Sequence, residues 1–408
     1  MNKKKLVVIG GGAAGFFCAI NAARLQPQLE VIILEKTGKL LSKVKVSGGG
    51  RCNVTHSCFS IGEMIKKYPR GEKFLKKAFH HFFTTDTINW FLERGIETKT
   101  EKDGRMFPVS NSSQTIIDCF LNEAAKYQVR IEMNTDVADL LLQKDKWKIT
   151  TSQNKIIDAD FVCMAAGGFM KMANAKWLSM LGHTIAPPVP SLFTFNMPAN
   201  TITKLMGVSV ENVRVKIAGE KLETDGPLLI THWGFSGPAV LKMSAYAALI
   251  LAAKNYDFTV VINWLPQYNE NNLREKIQLV RFDMATTKVI NKNPFLLPTR
   301  LWEYLLEVSG IKEGVKWADL PAKEQNLLAK NLCSHSFKIN GKTTFKEEFV
   351  TAGGVNTDEI NVNTMESKLQ KNLFFAGEVV NIDGVTGGFN FQNAWTTAWI
   401  AAKAIAKA

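Results

Sequence analysis

The stretch Leu6-Val7-Val8-Ile9-Gly10-Gly11-Gly12-Ala13-Ala14-Gly15 decides how this chain is read. An apolar helix pattern from Phe16 to Leu25 follows it, and a second apolar run, Val31 to Leu34, ends on Glu35. Strand, glycine turn, helix and a strand closed by an acid is the order a dinucleotide-binding βαβ unit requires. Gly10 permits the tight turn, Gly12 lets the backbone approach a pyrophosphate, and Gly15 lets the helix pack closely on the strand. Ala13 and Ala14 begin the helix, whose free N–H groups favour phosphate charge. Glu35, followed by Lys36, can accept hydrogen bonds from both ribose hydroxyls of an adenosine and would repel a 2′-phosphate. A lone GxGxxG is a weak signal. Here it opens the chain, lies between two apolar strands and meets an acid about 20 residues later, which makes it a strong one. The alternative is a glycine-rich turn of purely structural use.

The chain has 408 residues, too many for one ordinary core, so two or three domains are expected. A hydrophobic content of 46% with 21% charged residues is that of a globular protein. No apolar run approaches the ~20 residues that span a bilayer, and the basic start Met1-Asn2-Lys3-Lys4-Lys5 leads into the first strand without a cleavage site. No membrane association and a cytoplasmic location are therefore expected. Six cysteines (Cys18, Cys52, Cys58, Cys119, Cys163, Cys333) form no CxxC pair, so neither a zinc site nor a disulfide framework is indicated, and no metal is expected. Cys18 and Cys163 fall in apolar patterns and read as core. The net charge of +13 fits a nucleic-acid partner, an acidic substrate or a Lys-rich solvated surface. Because the basic residues are spread without interleaved aromatics, a nucleic-acid partner is not expected.

Residues 1–190 alternate strand and helix patterns. Helices are expected near Gly71–Phe83, Thr84–Arg94 and Ser113–Lys126, and strands at Val129–Met133, Val137–Leu142, Trp147–Thr151 and Phe161–Met164. A turn-rich hairpin is expected around Asp103–Pro108. The cluster Pro187-Pro188-Val189-Pro190 is the clearest punctuation, and a domain crossing is placed there. In residues 191–340, Val208–Ile217 and Phe258–Trp264 suggest an antiparallel sheet or small barrel, followed by helices at Asn271–Asp283, Thr299–Val308 and Ala322–Leu332. No second glycine-rich strand–turn–helix occurs there, unlike the architecture of disulfide reductases. In residues 341–408 the α/β pattern returns, with Phe349-Val350-Thr351, the strand Leu373–Phe375 and a long last helix from Gly388. One dinucleotide domain, interrupted by an insert and completed by the tail, is the simplest arrangement.

Three further glycine clusters stand outside the opening turn: Ser47-Gly48-Gly49-Gly50-Arg51-Cys52-Asn53, Ala165-Ala166-Gly167-Gly168, and Gly384-Val385-Thr386-Gly387-Gly388-Phe389-Asn390. Glycines gathered this way mark backbone that approaches something closely or takes positive φ. Four such clusters point to one extended ligand, and a flavin dinucleotide suits them. With Arg105–Ser110, Thr231-His232-Trp233-Gly234-Phe235-Ser236-Gly237-Pro238, Thr351–Val355, Thr364–Ser367 and Ala376-Gly377-Glu378 followed by Asp383, the chain resembles the bacterial BaiN/YhiN-like, or aminoacetone-oxidase-like, family of FAD-dependent oxidoreductases. The resemblance spans nearly the whole chain.

It implies an α/β fold, a Rossmann-like FAD-binding domain with an inserted β-barrel plus helical domain. It also implies that Gly10 to Gly15 and Glu35 hold the adenosine half, Val137 meets the adenine through its backbone, and Lys43 flanks the flavin loop that Ser47 to Asn53 would line. Glu378, after Gly377, matches an acid near the ribityl chain, Asp383 is expected among the cofactor ligands, and Gly387, Gly388, Phe389 and Asn390 set a helix N-terminus against the flavin. The chain departs from the family pattern at Ala166, in the compact Phe169–Trp177 stretch, at Asn381 and at Thr397–Trp399, which bears on the substrate more than on the cofactor. Arg51 either neutralises substrate or flavin charge or ties its own loop to a carboxylate. His232 is a candidate proton donor or a packed turn histidine, His56 and Lys43 are weaker candidates, and His80-His81 read as an exposed pair. A redox pair of Cys52 and Cys58 is not expected. The expected activity is reduction of an electron-poor C=C/oxo small molecule, with NAD(P)H as a transient electron donor. Oxidation of a small amine by O₂ is the alternative, and a nucleic-acid-linked flavoprotein a further one. The oligomeric state is left open.

Overall fold

A computed structural model of the chain describes residues 3–169, 172–343 and 350–408. Phe349 and, within the Phe169–Trp177 stretch, Met170 and Lys171 lie outside the described residues. Two compact units result: Met1–Ser191 together with Lys346–Ala408, and Leu192–Phe345.

The first unit is built on a parallel five-stranded sheet in the order Leu373–Phe375, Phe161–Met164, Lys5–Ile9, Glu30–Leu34, Arg130–Glu132. Its middle strand is the opening one, and Leu6, Val7 and Val8 are wholly buried, as expected where helices cover both faces of a parallel sheet. The helix Ala13–Leu25 packs on the last helix, Phe389–Lys407, with the rings of Phe17 and Trp395 5.2 Å apart. Trp90, Phe91 and Phe120 complete this aromatic cluster. At roughly 1.5–3 kcal/mol per buried large side chain, it clamps the two ends of the chain together. The helix Ser113–Lys126 starts at Ser112, whose hydroxyl accepts the Gln114 N–H. A three-stranded antiparallel sheet follows: Val137–Gln143, Lys146–Thr151 and Ile156–Ala159. Its third strand has four residues, too few for a legible alternation.

The proline cluster is itself part of a strand, Ile185–Ser191, paired with Val350–Val355, and the boundary between the two units falls directly after it, between Ser191 and Leu192. The register shifts between Ala186 and Val189, so Pro187 and Pro188 fall in a bulge where no N–H is required. The helix expected over Gly71–Phe83 is limited to Glu72–Ala78.

The second unit is a seven-stranded antiparallel sheet in the order His335–Asn340, Asp257–Asn263, Ser209–Ile217, Glu223–Thr231, Gly234–Ser236, Thr194–Asn196, Lys342–Thr343. Its two outermost strands are consecutive in the chain. Between them, Gly341 donates to Tyr256 O and accepts from Asn196 N, so the sheet closes on itself as a small barrel. Along Ser209–Ile217 the buried residues are Val210, Val213, Val215 and Ile217. The three-residue step between the first two is a bulge opposite Leu228 and Gly226. Phe195, Phe235, Phe258, Trp264 and Phe337 fill this core together with Leu301 and Trp302 from the helix Thr299–Val308.

Candidate functional site

All four glycine clusters belong to the first unit. In the opening turn, a Cβ on Gly10 would stand 2.4 Å from Ala165 O, and one on Gly15 only 1.9 Å from Gly10 O. Packing demands glycine at both. Gly12 is different, because nothing lies within 4 Å of where its Cβ would be. It is the extended N-cap of the first helix and carries no side-chain cap, so the helix's first N–H groups stay available. Glu35 is held beside them: one carboxylate oxygen accepts Gly11 N–H at 2.8 Å, the other Thr37 N–H and hydroxyl at 2.9 and 2.8 Å. The oxygen that accepts only Gly11 N–H keeps a further lone pair for a ligand. Lys36 is exposed. Thr135 N–H donates to Glu35 O, which brings the strand beginning at Val137 to the same corner.

The second cluster is a broken helix. Ser42 onward is helical, but Ser47 is extended and Gly48, Gly49 and Gly50 take φ of +59°, +70° and +84°, with Cys52 at +60°. Gly49 and Gly50 face open space, whereas a Cβ on Gly48 would meet the Phe107 ring at 2.7 Å. Cys52 is buried, and burial pushes its thiol up to about 12 against a hydrogen bond from Ser47, so it is no thiolate nucleophile. Arg51 donates to Glu101 at 2.5 Å and to Gly48 O at 3.2 Å, and lies over the Phe107 ring at 4.0 Å. Of its two candidate roles, the carboxylate tie is the one present.

Glu378 joins the remaining segments. Its carboxylate accepts Lys43 Nζ at 2.5 Å and Thr351 N–H at 2.8 Å. A Cβ on Gly168 would stand 2.7 Å from Thr351 Cβ and 3.2 Å from Glu378 Cδ, and Gly167 lies alongside. Ala165 N–H donates to Ile9 O, while Ala166 is exposed. Gly377 donates its N–H to Thr397 Oγ1 at 2.9 Å, and a Cβ on it would meet Ala14 Cβ at 2.7 Å. Residues near 10–15, 43, 165–168, 351 and 377–378 thus share one corner.

The tail turn is pinned from several sides. Asn390 accepts Gly384 N–H at 2.8 Å and donates to Gly384 O at 2.9 Å; Tyr68 hydroxyl donates to Phe389 O at 2.7 Å. Gly387 precedes Gly388, which has φ +91° and lies so close to Thr55 that a Cβ would stand 2.6 Å from its carbonyl. Phe389 stacks on His56 with ring centroids 4.8 Å apart. Burial lowers the His56 pKa, with the Asp103 carbonyl opposing and Lys67 reinforcing. Asp383, expected among the cofactor ligands, is wholly buried and gives both carboxylate oxygens to Arg70, with Ser191 hydroxyl donating at 2.9 Å. Burial raises its pKa despite Arg70, and its role here is to anchor the turn.

His232 belongs to the second unit. It is exposed on the two-residue turn between Glu223–Thr231 and Gly234–Ser236, its ring edge-on to Trp233 at 4.3 Å. His80 and His81 are exposed beyond the helix Glu72–Ala78. Thr351 and Thr397 stood in the sequence only as members of motifs, with no contact assigned; Thr37 and Tyr68 were not singled out, and of these only Thr37, two residues after Glu35, carried a local signal, that of a hydroxyl turn.

Whether a flavin dinucleotide suits these residues can be judged from unsatisfied groups. Asn53 Oδ1, Asn381 Oδ1 and Asn393 Oδ1 are buried without a hydrogen-bond partner, and Asn53 Oδ1 lies 2.9 Å from the position a Gly388 Cβ would take. Orphaned acceptors are costly unless a ligand meets them. With open space at Gly12, Gly49 and Gly50, two uncapped helix starts and the Asn53 acceptor beside one of them, these segments offer a polar, glycine-lined cradle that fits FAD. Among the described residues no cluster of three or more His, Cys, Asp or Glu is placed for a metal, and no helix is long and apolar enough to cross a membrane.

The family model described as HI0933-like protein Rossmann domain matches residues 4–404. The chain is 31% identical to the ribosomal RNA dihydrouridine synthase of Escherichia coli, over 99% of this chain and 98% of that protein. It is 28% identical to the 3-dehydro-bile acid delta(4,6)-reductase of Clostridium scindens, over 99% of both. A 3-ketosteroid-delta4-(5alpha)-dehydrogenase from Rhodococcus jostii shares the fold at TM-score 0.52 and 12% identity, over 100% of this chain and 98% of the other.

Proposed function

This chain belongs to the HI0933-like Rossmann family and is an FAD-dependent oxidoreductase; on that premise we propose that it reduces a carbon–carbon double bond conjugated to a carbonyl, with NAD(P)H as electron donor. One observation carries the reading: relatives matched along their full length are named for two such reductions, in a 3-dehydro bile acid and in the uridine of ribosomal RNA. An alkene carbon conjugated to a carbonyl is electrophilic enough to accept hydride, and FAD held in the cradle would supply that hydride chemistry.

The chain's own residues supply binding and charge. The uncapped start of Ala13–Leu25 would take the pyrophosphate over Gly12, and Glu35, already oriented by Gly11 and Thr37, would accept the ribose hydroxyls. Glu378, neutralised by Lys43, would face the ribityl chain. The N-terminus of the 19-residue last helix, at Gly388, favours negative charge beside it, and Asn53 would offer an acceptor there.

For the substrate, a uracil ring in RNA is favoured by the net charge of +13 and by the two dihydrouridine synthases among the relatives. This restores weight to the nucleic-acid partner that the spread of basic residues argued against. The test is anaerobic. NADH or NADPH is mixed with the purified holoprotein, then with unmodified ribosomal RNA or with a 3-oxo-4-ene steroid, and a gain of two hydrogens is read by mass spectrometry. If neither nicotinamide reduces the flavin and no substrate gains hydrogen, while small amines release peroxide, the reductase reading fails and the oxidase one replaces it.

A further inference from the structure

We propose that the exposed lysines of the segment 66–77, together with the exposed Phe59, form a docking surface for the phosphate backbone of an RNA substrate. The proposal rests on the reading of RNA uracil as substrate.

The charge in this segment is locally one-sided. Between residues 61 and 81 stand Lys66, Lys67, Arg70, Lys73, Lys76 and Lys77, against two acids, Glu63 and Glu72. Arg70 is consumed by Asp383, and Glu63 is bridged to Lys66 at 2.7 Å. Lys67, Lys73, Lys76 and Lys77 are exposed, and among the described residues none of them is in an ion pair. Lys73, Lys76 and Lys77 lie at i, i+3 and i+4 of Glu72–Ala78, so they share one face of that helix. Leu75 and Ala78 on its other side are buried. Like charges at that spacing repel one another and weaken the helix, so the cluster is not a product of folding stability.

Its attachment ties it to the candidate site. Lys67 O accepts Val385 N–H at 2.9 Å, Tyr68 hydroxyl reaches Phe389 O, and Arg70 holds Asp383. All three bonds end on the stretch Asp383–Phe389, which leads into the helix start proposed to face the flavin. Phe59 is 62% exposed, and the neighbouring Cys58 carbonyl accepts Thr84 hydroxyl at 3.0 Å, which pins Phe59 near the end of the same segment. Exposed lysines on a segment that an exposed ring precedes in the chain are the composition that single-stranded RNA uses: cations follow the phosphates and an aromatic face stacks a base.

The test compares two double reversals that change the net charge equally: Lys73→Glu with Lys76→Glu on the segment, and Lys144→Glu with Lys148→Glu on the exposed hairpin of the three-stranded sheet. Flavin content of each holoprotein reports that it is folded. Binding of a ribosomal RNA fragment is measured across a salt series. The segment variant is expected to bind at least about tenfold more weakly at low salt. Its log–log salt slope should shrink by about 1.4, since each lost phosphate contact to a single strand contributes about 0.7. The hairpin variant should stay close to the parent. Equal losses in both variants, or none in the segment variant, overturn the proposal. If the parent protein binds RNA through the segment yet leaves uridine unreduced, the surface stands and the substrate reading fails. If the parent reduces the steroid but shows no salt-sensitive RNA binding, the surface falls and the reductase reading survives.

Discussion

The two glycine turns that begin the first and last helices of the α/β unit meet similar demands by different means. The opening turn is mostly local: Gly15 packs on Gly10, the acid that serves it directly follows the next strand, and Ala165 against Gly10 and Gly377 against Ala14 are its distant contacts. The tail turn borrows nearly everything. Gly388 abuts Thr55, Phe389 stacks on His56, Trp395 donates to Val54 O at 2.9 Å, and Arg70 and Tyr68 fasten it from more than 300 residues away in sequence. A local turn can be read from spacing. An assembled one is specified by close approach between distant backbones, which leaves only isolated glycines as its trace.

The sharpest way to break this contrast is Gly15→Ala. With its Cβ 1.9 Å from Gly10 O, the substitution should cost at least about 3 kcal/mol, read as a fall in soluble yield and in the thermal midpoint. Gly388→Ala should cost about 2 kcal/mol, combining a left-handed backbone with a 2.6 Å approach to Thr55, and should loosen the Thr55–His56 strand as well. If Gly388→Ala proved as stable as the parent, the tail turn would not depend on that approach. Gly12→Asp separates binding from folding. Open space around Gly12 predicts a thermal midpoint near that of the parent protein lacking FAD, but loss of the yellow colour because the carboxylate stands where a phosphate belongs. Retention of flavin by this variant would refute the placement of the pyrophosphate.

The smallest effect concerns pH. His56 is held neutral by burial, so its pKa lies below the ordinary value of 6.5. A base with a lowered folded pKa contributes stability that is complete above 6.5 and declines as pH falls toward its lowered value. Flavin release on mild acidification should therefore arise at the tail turn, and His56→Phe, which keeps the stack on Phe389, should flatten it. An unchanged acid profile in that variant would assign the loss to other groups.

Much of the element pattern was legible because period and punctuation are local. Ser113–Lys126, Phe161–Met164, Thr299–Val308 and Leu373–Phe375 occupy the residues their patterns indicate. The elements that were not legible have local causes too. The strand Ile185–Ser191 is hidden by Pro187 and Pro188, because a bulge that excuses two missing donors leaves no mark in the chain, and Ile156–Ala159 is too short to show a period.

At the candidate site, Arg51 and Asp383 show the boundary. Both carry the charge a cofactor ligand needs, yet each has an opposite charge waiting in a distant segment, Glu101 for one and Arg70 for the other. Sequence alone determined the dinucleotide turn, the alternation of the α/β unit and the excess of basic charge, since each follows from neighbours a few residues apart. Only the tertiary structure decided which polar groups remain unsatisfied, which ions are already paired, and that a lysine-bearing helix is bolted to the tail turn. Those are facts about which distant groups come within hydrogen-bond reach, and distance in space is what a linear order of residues does not encode.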